Sequence, residues 1–116
     1  MHKLVILVEP LQDEAVFDAL WPKFLHLAER MPGLQREATC HVEAILFGEC
    51  RPALLHELYF DSLNAVQEAM GSTDGQAAGQ LLQQMTGGHL TLLIADHQED
   101  ELENIRKYQM EAKKGG

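Results

Sequence analysis

The chain has 116 residues, enough for one domain and too few for two. Its 18 acidic and 9 basic side chains leave a formal net charge of −9, which repels a phosphate backbone and an anionic lipid surface alike. Nucleic acid and membranes are therefore not expected as partners. Apolar residues make up 46% of the sequence, as a packed core requires, and no run approaches the ~20 apolar residues of a membrane span.

The apolar run from Leu4 to Val8 is too short for a signal segment, and no cleavage site follows it. Cys40 and Cys50 have neither a metal nor a redox spacing and read as a reduced pair. Both features point to a cytoplasmic protein.

His2 to Glu9 is β-branched and apolar through its middle, as in a central strand buried on both faces, and Pro10 closes it. From Gln12 to Arg30 the period becomes helical. Val16, Leu20, Phe24, Leu27 and Met31 line one side, and Phe17, Trp21 and Ala28 widen the stripe. Pro22 removes the bond to the Asp18 carbonyl, which predicts a kink or bulge. Met31-Pro32-Gly33 ends this helix. A long strand is predicted from Leu34 to Phe47, with a turn over Gly48 to Pro52 and an antiparallel strand over Ala53 to Asp61. Asp61 or Ser62 caps a short helix from Leu63 to Met70. Thr73 with Gln76 resembles a capping box for another helix through Met85. Gly87-Gly88 turns into a last strand, His89 to Asp96. A charged helix follows, with the stripe Leu102, Ile105, Tyr108 and Ala112, and with Lys107, Lys113 and Lys114 late in it.

The order β-α-β-β-α-β is the split βαβ, or ferredoxin-like, arrangement: an α+β domain over residues 1–96 with a four-stranded antiparallel sheet, and a charged helical tail over 97–116. Alternation gives the sheet two apolar faces. Leu4, Ile6, Val8, Val42, Ala44, Leu46, Leu54, Leu58, Phe60, Leu90, Leu92 and Ile94 are assigned to the helices. Val5, Leu7, Ile45, Phe47, Leu55, Tyr59, Thr91, Leu93 and Ala95 face the other way. Two helices cover only one face, and the tail stripe is too thin to cover the second. A second copy of the chain is the simplest cover, which predicts a homodimer joined through the open sheet faces.

Several stretches resemble the EthD-like family of the dimeric α+β barrel superfamily. They are Met31-Pro32-Gly33-Leu34, Glu57-Leu58-Tyr59-Phe60-Asp61-Ser62-Leu63, Ala69-Met70-Gly71-Ser72, Gly75-Gln76-Ala77-Ala78 and Gly87-Gly88. The resemblance covers most of Met1 to Asp96. It implies two sheets closing into a dimeric barrel, with a ligand pocket between each sheet and its helices. Relatives include isomerases, cyclases, cofactor-free monooxygenases and proteins with no known reaction. Two polar landmarks of the family pocket are replaced here. Phe24 stands where members often have histidine on the first helix, and Gln80 where aspartate is frequent. His26 lies about 200° around the helix from Phe24 and is expected to point away from the core.

His56 shares the helix-facing side with Leu54, Leu58 and Phe60, an apolar setting that is costly for an unpaired imidazole. It is the candidate base or ligand-orienting donor; the plain alternative is a core histidine bonded to a neighbouring group. Phe17, Trp21, Phe24, Phe60 and Met85 are the candidate ligand-lining residues, or ordinary core. Glu57 and Tyr59 share the opposite face, where Glu57 is expected to meet His41 or Glu43 across the hairpin. His41 and His56 are expected on opposite faces. No histidine spacing matches a metal motif, and there is no P-loop, dinucleotide fingerprint or G-x-S-x-G, so neither metal nor cofactor is expected. The sequence thus predicts a barrel that acts on or binds a small apolar or aromatic metabolite without a cofactor. The alternative is a non-catalytic ligand-binding or accessory protein with a degenerate family site.

Overall fold

A computed structural model of the chain describes residues 1–104 and 106. The elements run β1 (His2–Val8), α1 (Glu14–Glu29), β2 (Arg36–His41), β3 (Leu54–Phe60), α2 (Leu63–Gly71), α3 (Thr73–Thr86) and β4 (Leu90–Asp96). The strands form one antiparallel sheet in the order β2-β3-β1-β4, so β1 and β3 are internal and β2 and β4 are edges. This is the α+β, ferredoxin-like arrangement that the element order predicts.

The helices lie on one sheet face. Leu4, Ile6, Val8, Leu54, Leu58 and Phe60 meet Phe17, Phe24, Ala28 and Met31 of α1, Val66 and Ala69 of α2, and Ala78, Leu82 and Met85 of α3 in one buried core. Asp13 caps α1 by accepting from the Val16 N–H. The helix runs unbroken through Pro22. Ser62 caps α2 and Ser72 caps α3, the latter accepting from the Gly75 N–H at 3.0 Å. The cap of α3 is thus one residue earlier than the Thr73 capping box. Gly87 ends α3 with φ +63°, where a side chain would be strained.

Four local expectations are corrected. The first is the length of β2, which stops at His41. Because β3 begins only at Leu54, residues 42–47 have no strand opposite them in the same chain, and Leu46 and Phe47 stand exposed. The second is the phase of β2. His41 pairs with Leu54 and Thr39 with His56, so Glu37, Thr39 and His41 face the helices, and His41 lies on the same face as His56. The third concerns Glu57, which sits opposite Ala38 rather than His41 or Glu43. It takes its ion pair from Lys3 at 3.2 Å and accepts from the Tyr59 hydroxyl at 2.6 Å. The fourth is Val16, which is exposed; the buried stripe of α1 is Phe17, Phe24 and Ala28.

Beyond β4 the chain is tied to the sheet by the His97 N–H donating to the Met1 carbonyl at 2.9 Å and by an Arg36–Glu99 pair at 3.1 Å. Residues 102–104 are helical and Leu102 is exposed. The predicted stripe members Ile105, Tyr108 and Ala112, and the basic Lys107, Lys113 and Lys114, lie outside the described residues.

Candidate functional site

His56 sits in the middle of β3, and the pleat aims its ring at α1. It is fully buried. Trp21 meets the imidazole edge-on at 5.1 Å between ring centroids and Phe24 does so at 5.7 Å. Phe17 stacks on Trp21 at 5.2 Å. These residues fall four and three apart on α1, which sets their rings in one row along a single helix face. The structure therefore brings His56, Phe17, Trp21 and Phe24 together.

Phe60 and Met85 are core residues outside this row. Phe60 is fully buried and faces Gly33, and Met85 lines a hollow of 390 Å³ with Pro10, Leu11 and Val16 at the C-terminal end of α3. Phe17 and Phe24 open onto different spaces. Phe17 lines a 350 Å³ cleft between α1 and the β2–β3 end of the sheet, with Asp18, His41, Val42 and Leu54. Phe24 lines a 310 Å³ cavity under α3, with Leu4, Ile6, Leu58, Gly79 and Leu92. His26 and Gln80 share an outer groove between α1 and α3 with Pro22 and Leu81, while Phe24 points into the core.

Two further polar residues belong with His56. Thr39 Oγ1 lies 2.8 Å from His56 Nδ1, and Glu37 Oε2 lies 3.6 Å from Nε2. Both come from the helix-facing row of edge strand β2. The gap to Glu37 is too long for a direct hydrogen bond. Among the described residues, His56 Nε2 and Glu37 Oε1 are buried without a hydrogen-bond partner. Burial in the aromatic cluster pushes the His56 pKa down to about 4, against the opposing pull of the Glu57 carboxylate. Burial raises the Glu37 carboxyl above its ordinary value, and the negative charge of Glu29 adds to the shift. At neutral pH the imidazole is uncharged, with one ring nitrogen able to accept a proton or a hydrogen bond. Glu37 and Thr39 escaped the sequence reading because β2 was phased on the apolar residues 42–47. The recoverable signal was the polar alternation Glu37, Thr39, His41 beside His56.

Among the described residues no three His, Cys, Asp or Glu side chains gather as a metal site, and no helix is long and apolar enough to cross a membrane. Both cysteines are free and exposed.

The class of protein defined by this sheet order and helix layer is the ferredoxin-like α+β fold, and solved structures bear that out. An ethyl tert-butyl ether D (EthD) family protein from Bacillus halodurans superposes with a TM-score of 0.76 at 29% identity, over 84% of this chain and 99% of that one. A dimeric ferredoxin-like protein of unknown function from Jannaschia superposes with a TM-score of 0.65 at 14% identity, over 83% of this chain and 98% of that one. SnoaB, a cofactor-independent oxygenase from Streptomyces nogalater, also reaches 0.65, at 10% identity, over 87% and 96%. No family model matches the chain, and no curated protein matches it in sequence. These likenesses establish the ferredoxin-like α+β fold and support the resemblance to the EthD-like family.

Proposed function

We propose that the chain works as a homodimeric barrel that takes a small apolar or aromatic metabolite, without a cofactor, between α1 and the helix-facing side of its sheet. His56 is the group that orients the ligand or exchanges a proton with it. The observation that carries this reading is a buried, neutral imidazole with an unpartnered Nε2, set against the row Phe17, Trp21 and Phe24. Stacked aromatic walls favour a flat apolar ligand, and a single polar group fixes its orientation. The 350 Å³ cleft, walled by Phe17 at one end of that row, is the entrance. SnoaB, a fold relative, is a cofactor-independent oxygenase, which makes cofactor-free chemistry compatible with this fold.

The non-catalytic reading has its own support. His56 is closed off from solvent, and Phe24 and Gln80 replace two polar groups of the family pocket. One experiment separates the two. Native mass spectrometry against a panel of one- and two-ring aromatic compounds should retain one ligand per subunit, and Trp21→Leu should weaken that retention at least about tenfold. If no compound binds, the ligand reading fails. A retained ligand recovered unchanged in both mass and NMR spectrum after aerobic incubation favours the binder; a new product by either measure that His56→Gln abolishes favours the enzyme.

A further inference from the structure

Glu37 and His56 come from neighbouring strands, and each leaves a buried polar atom without a partner under α1. His56 Nε2 and Glu37 Oε2 are 3.6 Å apart, and Nε2 and Glu37 Oε1 are both buried without a partner among the described residues. A buried polar atom left unpaired is costly, so an unpaired ring nitrogen beside a half-paired carboxylate marks a place where a third polar group pairs with both. Thr39 at 2.8 Å holds the other ring nitrogen and so fixes which way the imidazole faces.

We propose that Glu37 and His56 together form the polar end of the site and bind a neutral hydrogen-bond donor, the hydroxyl of a phenol or enol, on an otherwise apolar ligand. This rests on the ligand-binding reading above and names the ligand's polar group. The charges around the site select that class. Glu37 itself, Glu29 close enough to perturb it, and Asp18 in the adjoining cleft all repel a carboxylate or sulfonate. Trp21 and Phe24 flank the imidazole, so everything but the donating group has to be apolar. Glu37 lies on an edge strand with its side chain about one-fifth exposed, and it is the side chain that turns outward to admit the hydroxyl.

The test compares 2-naphthol with 2-methoxynaphthalene, which keeps the rings and the oxygen but cannot donate, by calorimetric titration of the intact protein. Wild type should bind the naphthol at least about fivefold more tightly, the gain expected from one or two neutral hydrogen bonds. Glu37→Met, which keeps the length of the side chain and removes its acceptors, should shrink that ratio toward one while the ether's affinity stays the same. Equal affinities in wild type overturn the donor assignment and leave the ligand reading standing. A ratio that survives in Glu37→Met removes Glu37 from the site. Failure of wild type to bind either compound overturns this inference together with the reading it rests on.

Discussion

Burying an imidazole among Trp21 and Phe24 has a consequence for stability that a surface histidine would not have. The pKa of His56 falls from 6.5 to about 4 on folding, so between those values the unfolded chain holds a proton that the folded chain refuses. Stability contributed by the neutral ring is fully present above pH 6.5 and is lost as the pH falls toward 4, by about 3 kcal/mol at most. Glu37 works in the opposite sense. Its raised pKa means that the folded chain keeps a proton the unfolded chain has released, so its contribution is present at low pH and is lost as the pH rises through its folded value. Urea unfolding followed from pH 4 to pH 7 tests both. Wild type should weaken on acidification, His56→Met should flatten that slope, and Glu37→Met should steepen it. A His56→Met protein with the wild-type slope would mean that the imidazole is charged or solvated in the folded state.

The joint between α2 and α3 turns on two glycines with opposite roles. A Cβ on Gly75 would collide with the Ala69 carbonyl oxygen and lie 3.0 Å from its carbon, so only glycine lets α3 start against the end of α2. A Cβ on Gly79, one turn later, meets nothing within 4 Å, and this residue borders the 310 Å³ cavity. Gly79→Ala should therefore stabilise the protein by about 0.5–1 kcal/mol through helix propensity, whereas Gly75→Ala should cost more than ~1 kcal/mol. Thermal unfolding of the two variants gives the signs directly, and a neutral Gly75→Ala would contradict the tight joint. The same elements show what the sequence makes legible. Helical periodicity on α1, the cap signals at Asp61-Ser62 and Thr73, and Gly87-Gly88 place every helix and strand start within a residue or two, because each signal is local. The run 42–47 reads as strand for a local reason too, since Val42, Ile45 and Phe47 favour it, but pairing depends on a partner that the chain itself does not supply. That one misplaced end shifted the phase of β2, put His41 on the wrong face and hid Glu37 and Thr39. His56 was legible because β3 alternates cleanly. Its neighbours were not, because contact across strands depends on register, which is not a local property.

The open sheet face divides into two regions. One end is a closed polar cluster: Arg36 lies over the Tyr59 ring at 4.1 Å, Lys3 pairs with Glu57, and His97 meets Tyr59 edge-on at 5.0 Å, so Tyr59 is buried without any second sheet. The other end carries Leu7, Leu55 and Leu93 around Val5, which is itself buried, with Leu93 40% exposed. The exposed Leu46 and Phe47 add further apolar surface beyond β2. Apolar area of this extent is what a second copy of the chain would cover. In a twofold dimer joined through this face, Leu93→Lys would place a charge at the contact twice, once from each subunit, at a cost of several kcal/mol per site. Size exclusion coupled to light scattering should show wild type at twice the 13.0 kDa chain mass at micromolar concentration. Leu93→Lys should aggregate or fail to fold rather than run as a well-behaved monomer, because the freed face is too apolar to stand in water. A wild type that stays monomeric, or a Leu93→Lys protein with unchanged mass and stability, would rule out association through this face.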